Sequence, residues 1–185
     1  MSAIPAFEIG VWNAWIFMLY YFLPTPILML VWLKRTRGEA KVHNETEKKL
    51  RPVMLIIWLA VSVYSIFLPI RLGTMWFYVG LPISLIGTIG YTAVIPSLIT
   101  TPTDKEPLTK GLYRYSRPPM YISQLLIYIG VGIACASWVF LLFSIVYTIL
   151  CFVCAISEER YCLEKYGQSY REYVNKTPKW LGIPK

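Results

Sequence analysis

The feature that most restricts this chain is a set of apolar runs too long and too continuous for a soluble fold. Runs over 11–33, 52–70, 75–95, 121–134 and 138–156 carry almost no charge, and most approach the roughly 20 residues that a membrane-crossing helix requires. They do not alternate apolar with polar positions, which argues against a β-barrel. Hydrophobic residues make up 56% of the 185, well beyond the share found in soluble domains. The expectation is an all-α integral membrane protein of about five transmembrane helices. It forms one domain: helices one to three over 1–96, then over 97–185 a loop, a C-terminal helical hairpin and an amphipathic cytosolic tail. Residues 1–10 show neither the basic n-region nor the small-residue cleavage site of a removable signal peptide.

Each run has its own punctuation. Pro24 and Pro26 are expected to kink the first without ending it, and Asn13 is its one strongly polar side chain. Gly80, Gly87 and Gly90 in the third allow a neighbouring helix to approach closely. After Pro96 the chain is expected to leave the apolar phase. The fourth run is short for a full crossing, and only Ala136 and Ser137 separate it from the fifth as a tight, uncharged turn.

Basic charge orients the whole. With the N-terminus outside, the 34–51 loop, the 97–118 loop and the tail from Glu158 all fall on the cytosolic side, leaving Arg71 as the single cation opposite. Five crossings with a cytosolic C-terminus is the self-consistent solution. The net charge of +8 suits anionic headgroups, and the partners expected are membrane lipids and a lipophilic small molecule, not nucleic acid. The tryptophans near run ends, Trp12, Trp32, Trp76 and Trp138, read as interfacial anchors. Cys135, Cys151, Cys154 and Cys162 lie in or beside membrane helices and form no secreted disulfide framework. Cys151-x-x-Cys154 has no second ligand pair and His43 is the only histidine, so no metal site is expected.

Chemistry concentrates where the fourth run begins. Gly111 to Tyr121 reads Gly-Leu-Tyr-Arg-Tyr-Ser-Arg-Pro-Pro-Met-Tyr, polar, basic and aromatic at a membrane edge. The hairpin returns the chain to the same face at Ser157, so the adjacent carboxylates Glu158 and Glu159 become its neighbours. On a helix they point about 100° apart, so one can face the bundle while the other meets water or a basic partner. A partly desolvated cluster with Arg114 and Arg117 would be a functional site. Two helix-end carboxylates paired with a basic loop is the equally weighted structural alternative.

The run from Leu108 through Gly111-Leu112-Tyr113-Arg114-Tyr115-Ser116-Arg117-Pro118-Pro119-Met120-Tyr121, followed by Glu158-Glu159-Arg160, Tyr166-Gly167 and Tyr170-Arg171-Glu172-Tyr173, resembles the integral-membrane methyltransferases typified by isoprenylcysteine carboxyl methyltransferase, with phospholipid methyltransferases as cousins. The resemblance covers roughly the C-terminal half. It implies methyl transfer from S-adenosylmethionine to a membrane-partitioned acceptor: a prenyl-thiol carboxylate, a lipid headgroup or another small lipophile. It implies a cofactor pocket from Gly111, Tyr113, Arg117, Pro118, Pro119, Met120, Tyr121, Glu158 and Glu159, with Arg117 and Glu158 as catalytic residues and Arg114 and Cys154 on the substrate side. A tyrosine face would favour the sulfonium by about 1 kcal/mol. Three positions depart from the family pattern: Pro118 replaces a histidine, Ser123 replaces a glycine, and Cys154 stands where the carboxyl-methylating branch carries an arginine for the substrate carboxylate. Two further classes compete, a non-catalytic lipid-binding or assembly protein and a nicotinamide-dependent membrane lipid or steroid reductase.

Overall fold

The computed structural model describes residues 8–23, 30, 45–101 and 106–184. The Pro24 and Pro26 kink, the end of the first run and most of the 34–51 loop with His43 lie outside them. The described residues contain six α-helices and no strand beyond an isolated bridge. We label them α1 (Trp15–Phe22), α2 (Glu45–Ile66), α3 (Met75–Thr100), α4 (Pro119–Ala134), α5 (Trp138–Tyr166) and α6 (Gln168–Lys176), with a 3-10 turn at Gly111–Arg114.

By length and composition α3 and α5 can each cross a membrane, and the apolar stretches Pro52–Ile66 and Pro119–Ala134 are shorter. Their outward faces are apolar: Ile56, Ile86, Ile89, Leu142 and Ile149 are all more than half exposed. Such surface is stable in lipid and not in water. Three helices outrun their apolar segments. α2 begins at Glu45, well before the expected start at Pro52, and takes Pro52 inside it. α3 continues past Pro96 to Thr100, and α5 continues as one 29-residue helix to Tyr166. Apolarity ends where the membrane ends; helical hydrogen bonding does not, and Glu, Arg, Leu and Lys in 158–166 are all good helix formers.

α4 packs along α3 with almost no space between the backbones. A Cβ at Gly80 would overlap the backbone of Ala134 and Gly130, one at Gly130 would overlap Ser84, and one at Gly87 would lie 2.6 Å from Ile127 N. In lipid, where burying apolar surface gives little drive, this close van der Waals fit is what joins helices. α5 follows α4 after Cys135, Ala136 and Ser137. Ala136 takes a positive φ of 50°, and Ser137 Oγ caps α5 by accepting from Phe140 N at 3.2 Å.

The far end is closed by Asn13. Its side-chain amide donates to the terminal carbonyl of Ile66 at 2.7 Å, while Ala14 N and Ile70 N pair with Leu68 O and Trp12 O. The polar residue of the first run thus satisfies a helix end that would otherwise be buried without a partner. Between the two ends the core is apolar and aromatic, with Phe140, Met18, Leu68, Ile127 and Val131 fully buried.

Candidate functional site

The 3-10 turn is held against the end of α3. Gly111 adopts φ +63°, a Cβ on it would collide with Ser97 Oγ, and that hydroxyl donates to Lys110 O at 3.3 Å. Both the conformation and the contact exclude a side chain here. From the turn the chain enters Arg117-Pro118-Pro119. Pro119 is the first residue of α4, where its missing N–H is not needed and its fixed φ already suits the helix. Two successive prolines leave the backbone after Arg117 few conformations.

Arg117 is a clamp. Its Nη1 lies 3.0 Å from Glu159 Oε1, its Nε donates to Thr177 O at 3.1 Å, and its Nη2 donates to Val174 O at 3.3 Å. The two carbonyls belong to the last turn and cap of α6, whose exposed C-terminal dipole end favours a cation. One planar guanidinium therefore binds α5, α6 and the start of α4 together, and both partners of the ion pair are about four-fifths buried.

Glu158 has a different partner. Tyr121 Oη, at the start of α4, donates to Glu158 Oε1 at 2.8 Å. The carboxylate itself remains exposed. Adjacent carboxylates on α5 thus diverge, one toward the tail clamp and one toward the α4 tyrosine.

The tail closes over the turn. Tyr173 Oη donates to Tyr113 O at 2.7 Å, Gly182 N donates to Tyr115 O at 3.0 Å, and Trp180 packs on Phe152 with ring centroids 4.4 Å apart. Burial raises the Tyr170 and Tyr173 hydroxyls above the ordinary phenol range, and the Arg117 charge pulls partly the other way.

The candidate residues are unequally assembled. Arg117 meets Glu159 and Tyr121 meets Glu158, while the Tyr113 carbonyl accepts from Tyr173 of the tail. Pro119 is buried, Met120 packs against the core, and Arg114 is exposed on the turn. Cys154 is buried on α5 with its Sγ 3.4 Å from Met54 Sδ of α2. Two hydroxyls that the sequence did not single out, Ser116 Oγ and Ser157 Oγ, are buried without a hydrogen-bond partner among the described residues. The C-terminal carbonyls of α6 were also not anticipated, although Thr177 before Pro178 marks where a helix must stop.

The sequence pattern of the phospholipid methyltransferases matches residues 68–169, more than half of the chain. The chain belongs to the phospholipid methyltransferase family. No curated protein matches it. The part shared with the phospholipid methyltransferases runs from the end of α2 to the first turn of α6. It includes the α3–α4 seam, the 3-10 turn, Arg117 and both carboxylates. Val174 and Thr177, which receive Arg117, lie beyond it. Arg117, inside the matched region, is therefore anchored by residues outside it.

Proposed function

We propose that the chain is an S-adenosylmethionine-dependent membrane methyltransferase whose site opens at the cytosolic headgroup level. The observation that carries this reading is the divergence of the two carboxylates. Glu159 is held with Arg117 in a rigid frame, and this leaves Glu158, steadied by Tyr121, as the acidic group presented at the mouth.

The residues present fit such a cofactor. Its ammonium and ribose hydroxyls need an acceptor, which Glu158 supplies. Its carboxylate needs donors, which the first-turn N–H groups of Met120 and Tyr121 at the α4 N-terminus supply. Ser116 Oγ, buried beside Arg117 without a partner, suits a polar ligand group, because an unpaired buried hydroxyl otherwise destabilises by about 1–3 kcal/mol. When bound, the cofactor supplies an electrophilic methyl on a sulfonium. Arg117 acts by fixing the turn and tail around the pocket, while Tyr113 and Tyr121 shape its walls. Alignment and exclusion of water then carry most of the rate.

Depth narrows the acceptor. Trp138 and Glu158 are twenty residues apart on one helix. That is about 30 Å, the thickness of the hydrocarbon layer. With Trp138 at one interface, Glu158 stands at the other, and the basic charge of the 97–118 loop and the tail favours the cytosolic side for it. An acceptor whose nucleophile lies at headgroup depth meets it there. Arg117 is already paired with Glu159, and Cys154 adjoins a methionine. This polarity suits an uncharged amine better than a carboxylate.

Thermal unfolding of the detergent-purified protein with S-adenosylhomocysteine tests the reading, with NADPH as the control. A saturable stabilisation by S-adenosylhomocysteine alone is expected, and Glu158→Ala should abolish most of it. No stabilisation at millimolar ligand would leave the non-catalytic lipid-binding reading in its place.

A further inference from the structure

We infer that Ser157 hydrogen-bonds the nucleophilic head of the methyl acceptor, at a subsite on the α2 side of α5. The inference rests on the methyltransferase reading above and adds a residue that the family resemblance does not name.

The hydroxyl is anomalous. Buried serine and threonine hydroxyls elsewhere in these helices mostly turn back on their own backbone. Ser84 donates to Leu81 O at 2.9 Å, Ser123 to Pro119 O at 2.9 Å, Ser144 to Phe140 O at 2.7 Å and Thr148 to Ser144 O at 2.7 Å. In the low dielectric of a membrane helix this is the ordinary way to satisfy a hydroxyl. Ser157 is 7% exposed, and among the described residues its Oγ makes neither that bond nor any other.

Its place on the helix says what it faces. Successive residues of an α-helix lie about 100° apart. Glu158 meets Tyr121 of α4, and Glu159, one step round, meets Arg117 and the tail. Ser157 is one step the other way, away from the cofactor loop. It shares a face with Cys154, three residues earlier, whose sulfur touches Met54 of α2. Ser157 therefore lies where α5 turns from the Glu158 mouth toward α2, one helical turn nearer the membrane surface than a sulfur-lined apolar contact. A lipid fits this order: hydrocarbon beside Met54 and Cys154, head beside Ser157 and Glu158. The chemistry fits a neutral amine, whose N–H gives a hydrogen bond to Ser157 Oγ while the nitrogen lone pair stays directed at the methyl.

The test is a thermal-shift titration of the full chain, saturated with S-adenosylhomocysteine, using lysophosphatidylethanolamine as the amine-bearing probe. Lysophosphatidylcholine, which has the same chain and no N–H, is the control. Ser157→Ala and Ser157→Cys should both raise the half-saturating concentration of the ethanolamine lipid about five- to tenfold, the loss of one neutral hydrogen bond. Neither should change the titration by the choline lipid or the response to S-adenosylhomocysteine. The cysteine variant keeps the volume, so a change confined to alanine would be a packing effect and would overturn the assignment. Unchanged titrations in both variants, no stabilisation of the wild-type chain by the ethanolamine lipid, or loss of the S-adenosylhomocysteine response in the variants would overturn it as well. Absence of any S-adenosylhomocysteine response in the wild-type chain would instead remove the methyltransferase reading, a separate and recognisable failure.

Discussion

Helix α4 is held by opposite means along its length and at its start. Along the seam with α3, the missing side chains of Gly80, Gly87 and Gly130 bring two backbones into contact. At its start, the long side chains of Arg117 and Tyr121 reach across to α5 and α6. The seam has no freedom: any added atom must move a backbone. The mouth has more, because beside the Arg117–Glu159 frame the exposed carboxylate of Glu158 can accept from a ligand as well as from Tyr121. A frame built by shape and a mouth built by polar pairs separate the two tasks. The helix stays registered in the membrane while its end remains able to bind.

The largest effect should come from breaking the seam. Gly130→Val would force a branched side chain into the backbone of Ser84, and neither α3 nor α4 can yield without losing Gly80 against Ala134. Overpacking of this kind destabilises by about 3 kcal/mol or more. Size-exclusion chromatography in detergent should show no monodisperse protein, and Gly130→Ala should give an intermediate, less stable product.

Breaking the clamp should have a smaller, more local effect. Arg117→Ala leaves Glu159 mostly buried without its cation, and two terminal carbonyls of α6 without their donor. A loss of about 3 kcal/mol is expected, seen as faster proteolysis of the tail while the seam-bonded helices stay intact. The double variant with Glu159→Gln should recover part of it, since no unpaired charge remains. If Arg117 instead contacts the cofactor alone, tail proteolysis would be unchanged, and only the response to S-adenosylhomocysteine would fall.

The same contrast explains which features the sequence disclosed. The apolar runs, the small residues of the third run and the basic loops are local signals, and they pointed to membrane helices and one closely approached partner. Glu158 and Glu159 at 100° to one another were legible as a diverging pair because helical geometry requires it. Helix ends were not legible, because charge marks the membrane surface while hydrogen bonding continues through 158–166. Of the clamp, the pairing of a helix-end carboxylate with the basic loop was legible, and the α6 acceptors were not, because they are main-chain carbonyls, which every residue possesses. Ser157 was hidden for a related reason, since a membrane-helix serine normally bonds its own backbone and only the fold reveals one that does not.

Tyr121→Phe sharpens the comparison within the mouth itself. It removes one hydroxyl that donates to Glu158 and leaves the Arg117 frame intact. S-adenosylhomocysteine should bind about five- to tenfold more weakly, near 1 kcal/mol, by isothermal titration, with the resistance of the tail to proteolysis unchanged. An equal loss of both would mean that the two carboxylates belong to one network.

The smallest effect at neutral pH, and the one most specific to the tail, is its response to alkali. Burial raises the Tyr170 and Tyr173 hydroxyls in the docked state. A released tail would expose them to water, where a phenol titrates near 10. The docked state thus retains protons that the released state gives up. Below pH about 10 both states are neutral and docking is fully present. As the pH rises beyond that, the released tail ionises first, and docking weakens by up to about 1.4 kcal/mol per pH unit for each phenol until the raised value is reached. Proteolysis of the tail should therefore accelerate above pH 10 while the seam-bonded helices remain protected. Tyr173→Phe should make that dependence shallower, because one ionisable group is gone. It should also weaken docking by about 1 kcal/mol below pH 10, because the bond to Tyr113 O is lost with it, and the shallower slope should erode that difference at higher pH. If the variant loses stability at neutral pH but keeps the full alkaline slope, the dependence belongs to Tyr170 and the bond to Tyr113 acts independently of it.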